Sequence, residues 1–328
     1  MAGVGSNAQV GFVEETVWAS GSPTINKFIP FTSESIVLEK NVVATDAIRG
    51  NASRSVWREG AYRAGGDLNA EIQPTGEFST LLKHALGRAQ TAGPSGSPEV
   101  VYTHDIFPSG VLPEGLRVEV WRDAGCFTYN GMKVNQVTLN CAVGEPLSST
   151  FSFLGKEEST SASQTAATSI STLNPLTFDE GVLSVDGTEG DITSCSITIN
   201  NNLAEDKGKL GSKYRAAIPR SGFRDVTGTL NMEFDDLTMY NKYVNGDEAF
   251  LSLQFTSDDV IKGAASSEYY RLFIDCPRIV FTGTTPTVTG PDIIYHDMPF
   301  TAFATDSPSE DWHRYEIRIR MFNETDVI

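Results

Sequence analysis

Gly66-Asp67-Leu68-Asn69-Ala70-Glu71-Ile72 returns 162 residues later as Gly228-Thr229-Leu230-Asn231-Met232-Glu233-Phe234. Glycine, leucine, asparagine and glutamate recur in register, and the last position stays large and apolar. Within each copy the apolar residues, Leu68/Ala70/Ile72 and Leu230/Met232/Phe234, alternate with polar ones. A period of two marks a strand with one buried and one wet face, because successive side chains leave a pleated backbone on opposite sides.

The neighbours of the two copies match as well. Upstream, Ser35-Ile36-Val37-Leu38-Glu39 answers to Ser196-Ile197-Thr198-Ile199-Asn200, again as alternating strands. Downstream, the stretch from Phe78 to Gly87 answers to that from Leu237 to Gly246. Apolar residues three or four apart and a closing glycine predict a short helix in each. Thr75 or Gly76, and Asp235 or Asp236, are the expected N-caps. The order strand, long connection, strand, short helix thus occurs twice, which reads as an internal duplication.

The connections, Asn41–Gly65 and Asn202–Thr227, are too long to be structureless inside a compact domain. Each reads as an extended hairpin arm, the alternative being a disordered surface loop. Both arms are locally positive in an acidic chain. The first carries Arg49, Arg54, Arg58 and Arg63, the second Lys207, Lys209, Lys213, Arg215, Arg220 and Arg224.

At 328 residues the chain has room for two domains with real cores. Its 40% hydrophobic and 20% charged content describes a soluble globular protein, and its 29 glycines and β-branched runs favour a mainly β fold. No apolar stretch is long enough to span a bilayer. The N-terminus lacks a basic region followed by an apolar one, so synthesis and retention in the cytoplasm are expected. The net charge of −17 argues against affinity-driven nucleic-acid binding, which needs cations to displace counterions. It does not argue against a surface past which DNA slides.

Four separated cysteines (Cys126, Cys141, Cys195, Cys276) form no Cys-x-x-Cys pair and read as reduced core residues. The histidines (His84, His104, His296, His313) stand in no metal-ligand spacing, and His84 reads as a packing residue. Gly208-Lys209-Leu210-Gly211-Ser212-Lys213 lacks the spacing and following helix of a phosphate loop. Asp235-Asp236 is better explained by a helix start than by paired catalytic carboxylates. Neither an enzyme site nor a cofactor or metal site is expected.

The organisation expected is an N-terminal extended arm over 1–27, a first domain over 28–155, a Ser/Thr-rich linker over 156–175 and a second domain over 176–328. The Gly/Pro/Ser patch Ala92–Pro98 reads as a loop.

These stretches together resemble major tail tube proteins of long-tailed bacteriophages, in a family with two tandem tube domains. Gly11–Trp18, Phe28–Leu38, the Gly66–Gly87 segment, Ser194–Leu203, Val226–Phe234 and Cys276-Pro277-Arg278-Ile279 with Pro299–Phe303 carry the likeness. The resemblance implies two duplicated β-sandwich or split-barrel domains, each with a flanking helix. It implies sheets joined sideways around a lumen, rings stacked into a tube, a place in the virion tail and other tail proteins as partners. The alternating strands fit such a wall. Glu39, Asp67, Asn69 and Glu71 share the polar face of the first copy, and Thr198, Asn200, Asn231 and Glu233 that of the second. Turned to a lumen, these would let DNA pass without trapping its phosphates. Alternation alone does not separate this from an ordinary wet sheet face. The ten arm cations named above are the candidates for docking one ring on the next. Three chains would give pseudo-sixfold symmetry; six chains is the alternative. The rival reading is a β-sandwich decoration protein of the virion that binds a receptor or glycan.

Overall fold

The computed structural model describes residues 3–54, 56–96, 98–264, 268–283, 285–288, 290–306, 308 and 310–328. Met1 and Ala2 of the expected N-terminal arm, Ser55 of the first hairpin arm and Ser97 of the expected loop lie outside the described residues. The first half runs β1 (Gln9–Glu14), β2 (Lys27–Ile29), β3 (Ser33–Glu34), β4 (Val37–Ala44), β5 (Trp57–Glu71), α1 (Gly76–Leu86), β6 (Gly87–Ser95), β7 (Val101–Pro108), β8 (Leu116–Trp121), β9 (Cys126–Ala142), β10 (Ser148–Gly155) and β11 (Glu157–Ser161). The second runs β12 (Gly181–Val185), β13 (Thr188–Glu189), β14 (Ile192–Asn200), β15 (Asp225–Glu233), α2 (Thr238–Asn245), β16 (Glu248–Val260), β17 (Tyr269–Phe281), β18 (Tyr295–Ala302) and β19 (Arg318–Asn323).

The chain is mainly β, and its pairings are antiparallel and linked into one large open sheet. Alternation sets the register. Leu68 faces Phe151, which faces Val137; Val137 faces Ile199, Ile199 faces Val226, and Val226 faces Ala302. That apolar row crosses β5, β10, β9, β14, β15 and β18, so the first half joins the second through the β9–β14 pair. A slip of one residue anywhere along it would turn the whole apolar set outward. β9 is long enough for two tasks: its first part pairs with β8 and β11, its last with β10 and β14. The strands around β1 and β8 lay Val10, Phe12, Val118 and Val120 into the same apolar cluster as Leu68 and Leu230.

The halves run in the same strand order. β1–β8–β9–β10–β5–β4 in the first corresponds to β12–β16–β17–β18–β15–β14 in the second. Even the bulges agree: β8 shifts register against β9 between Leu116 and Val118, and β16 against β17 between Ala249 and Leu251. The glycine common to both copies has one cause. A Cβ on Gly66 (φ 142°) would lie 2.3 Å from the Ser35 carbonyl oxygen, and one on Gly228 would lie 2.5 Å from that of Ser196. A side chain at either place would push the paired strands apart.

Both expected helices form. Thr75 caps α1 by accepting the Phe78 N–H, and Gly87 closes it in the left-handed region. The N-cap of α2 is Leu237, not the expected Asp235 or Asp236, and its side chain makes no cap bond. Asp236, one residue earlier, accepts the Thr238 N–H at 2.7 Å, and Gly246 closes the helix at φ 70°.

Other stretches differ from the sequence expectation. Part of the expected N-terminal arm is strand β1, with Val10 and Phe12 buried. The expected linker begins with β11, held on β9 by backbone bonds that need no apolar side chains. Further along it, the Thr165 N–H donates to Glu119 and Gln73 donates to the Leu173 carbonyl. The glycine- and proline-bearing patch after Arg88 pairs with β7 as an edge strand, where a missing proline N–H is tolerated. The first long connection is a strand hairpin, since β4 and β5 pair out to Ala44 and Trp57. The second is not: it folds back, burying Leu203, Arg215 and Ile218, with an isolated bridge between Leu203 and Arg220.

Candidate functional site

Opposite the apolar rows, the same register builds polar ones. Asn69, Thr150, Thr138, Thr198, Thr227 and Thr301 stand opposite one another in succession. Glu71, Ser148, Asn140, Ser196 and Thr229 form a second row, and Asp67, Ser152, Gln136, Asn200 and Asp225 a third. Short side chains bond along these rows. Thr150 donates to Asn69 Oδ1 at 2.6 Å and Ser152 to Asp67 Oδ1 at 2.6 Å. Thr138 and Thr198 meet at 3.1 Å across the joint between halves, and Asn231 donates to Asp297 at 2.6 Å. Hydroxyl and amide pairs of this kind each stabilise a sheet modestly and fix its side-chain directions. The three rows hold carboxylates and no lysine or arginine, so this part of the face is polar and acidic; past its end the same side carries Lys133 and Arg63.

The expected polar-face residues fall on this surface as alternation requires. Asp67, Asn69, Glu71, Thr198 and Asn200 lie in the rows, Asn231 opposite Ser194 and Asp297, and Glu233 opposite Tyr295. Glu39 shares the side but stands opposite Arg63, beyond the ends of the rows. The residues of β9 and β10, including Thr138, Gln136, Thr150 and Ser152, were not singled out from the sequence. Their own alternation, in stretches already readable as strands, was the available signal.

The arm cations divide into two groups. Arg49, Arg54, Arg58, Lys207 and Lys209 are exposed, Arg54 with Asp46 at 2.7 Å. Arg63 pairs with Asp206 at 2.9 Å, Lys213 pairs with Glu59, and Tyr214 packs edge-on against Tyr62, so the second arm lies on the first. Arg215 is 5% exposed and donates to the carbonyls of Ala64, Gly155 and Glu205. Arg220 reaches Asn201 and Ser109, and Arg224 reaches Leu86, Ser109 and Glu316. Burial lowers the basicity of Arg215 and Arg220. These three guanidiniums satisfy carbonyls and side chains of their own chain and are not presented outward. Charge composition cannot separate an outward cation from one turned inward.

The cysteines are free thiols, with Cys141 opposite Cys195 on the joining strands. Burial raises them all, Cys126 to about 11, which keeps them protonated and poor nucleophiles. Among the described residues no group of three or more His, Cys, Asp or Glu could hold a metal ion, and no helix is long and apolar enough to cross a membrane.

Fold and face together define a class: a mainly β, antiparallel protein whose organised surface is one continuous sheet wall, apolar behind and polar in front. Residues 5–302 match the family model described as phage tail tube protein, and the chain belongs to the phage tail tube protein family. A comparison with curated proteins gives no match. Membership makes the chain a structural component of the virion tail that assembles with itself and with other tail proteins.

Proposed function

We propose that the chain is a two-domain tube subunit, that its copies close into stacked rings, and that the polar face lines the lumen through which DNA leaves the virion. The two domains are taken as a duplicated pair around residues 28–155 and 176–328, with β1 extending the first back to Gln9. The observation that carries this reading is the β9–β14 pair, which continues one sheet from the first half into the second. β4 holds the place in the first half that β14 holds in the second, and its outer edge has no strand partner among the described residues. An open strand edge invites another chain, and a second copy supplies the same kind of joint. Two such units per chain favour three chains per ring. Three rows rich in carboxylates, amides and hydroxyls and without lysine or arginine hold phosphates off, which suits passage without binding. Arg49 and Arg58 on the first arm, with Lys207, Lys209 and the exposed Arg54 that pairs with Asp46, are the cations that dock on the acidic rim of the next ring. The protein acts by assembly, and no catalysed step is part of the reading.

Electron microscopy of purified protein over a range of concentration and salt tests it. Hollow tubes with three chains per ring are expected. Six chains per ring would replace the three-chain arrangement. Monomers that bind glycans specifically would sink the tube reading in favour of a decoration protein.

A further inference from the structure

The two helices hold matching places and have unequal surroundings. α1 follows β5 and ends at Gly87; α2 follows β15 and ends at Gly246. Nine of the 11 residues of α1 are buried, and none of α2. Aligned by their closing glycines, Phe78 corresponds to Leu237 and Ala85 to Val244. Phe78 and Ala85 are 1% and 0% exposed, Leu237 and Val244 56% and 57%.

Much of what covers α1 comes from the second half of the chain. Asn201, the residue after β14, donates Nδ2 to the Ala85 carbonyl at 2.7 Å, and Arg224 donates to that of Leu86 at 3.0 Å. Ser79 Oγ meets Met321 Sδ at 2.8 Å, and the Thr325 side chain fills the space beside Gly76. Asn201 arrives there because β14 is paired with β9. Among the described residues no equivalent strand reaches α2 within the chain.

The residue of the first half that answers to Asn201 is Lys40, four positions after Ile36 as Asn201 is four after Ile197. Lys40 is exposed, lies 5.2 Å from the Tyr62 ring and makes no ion pair among the described residues. We infer that α2 is an interface helix covered by the first half of a second copy of this chain. In that contact Leu237 and Val244 become buried, and Lys40 of the neighbouring copy donates to the carbonyls that end α2, as Asn201 does at α1. An ammonium suits the partial negative charge at a helix C-terminus. Lys242, in the last turn of α2, is already engaged by Asp186 and leaves that role open. The inference rests on the ring reading and adds to it which surface meets which.

The test joins Lys40→Cys and Val244→Cys in one chain, at two exposed positions, and treats assembled protein with a short bismaleimide. Covalent species between chains are expected in assembled but not dispersed protein and in neither single variant. Their ladder ends at three chains if the ring closes on three. Hydrogen exchange of the unsubstituted protein gives an independent reading: α2 amides should slow about tenfold or more on assembly. Tubes that form with neither cross-link nor slowing overturn the inference and leave the ring reading standing. Protein that forms no ring under any condition removes the ring reading, and this inference with it.

Discussion

Glu14 lies 2.9 Å from His84 Nε2 and 2.7 Å from Lys83 Nζ. The hydrogen bond with His84, reinforced by Lys83, holds the Glu14 carboxyl down at about 2, while burial holds the His84 imidazole below its usual value. Both folded-state values sit below the unfolded ones, so on acidification the unfolded chain takes up protons first. The loss due to His84 begins as pH falls below its ordinary 6.5, and that due to Glu14 runs from 4.5 down to about 2. Glu14 is 35% exposed, and screening limits its share to roughly 1–2 kcal/mol. Thermal unfolding of Glu14→Gln should therefore lose stability less steeply than the parent between those two carboxylate limits. An equal slope would mean that Glu14 is not held by this contact. The sequence reading of His84 as a packing residue is half the account: it is buried, but beside a carboxylate brought from β1. Nothing in the local sequence of α1 announces a partner 70 residues away.

Helices α1 and α2 are both legible from spacing and glycine stops, because those signals are local. Their burial is not. Leu82 is fully buried and Val244 is 57% exposed, though each lies on a helix of similar amphipathic pattern. In dispersed protein, Leu82→Ala should cost about 2–5 kcal/mol through lost contacts and a cavity. Val244→Ala should change stability by no more than about 0.5 kcal/mol. Urea unfolding of the two variants separates them; comparable losses would contradict the arrangement of α1 and α2. The arms teach the same lesson. Both are cation-rich, yet only the first is a strand hairpin, because Arg215, Arg220 and Arg224 find carbonyls that draw the second arm inward.

Across the whole molecule the polar face is one surface only because the halves share a sheet. Thr138→Lys with Thr198→Lys sets two ammonium groups on that face at the joint. Tubes of this variant should retain short double-stranded DNA roughly tenfold better than parent tubes at low salt, and the difference should fade as salt rises. Equal retention at low salt would mean that the face is not the lumen wall. The sequence by itself determined the alternating strands of the two glycine-led copies, their inward and outward sides, both helix stops and the order strand, connection, strand, helix in each half. It did not determine β6 or β11, which are held by backbone pairing. Alternation, caps and glycine positions are set by neighbours along the chain, so they can be read there. Only the tertiary structure decided that β9 meets β14, that α1 is roofed by the second half, and which arm cations turn inward. Those outcomes depend on backbone edges and carbonyl groups, which every residue carries alike, and on distances that the order of residues does not record.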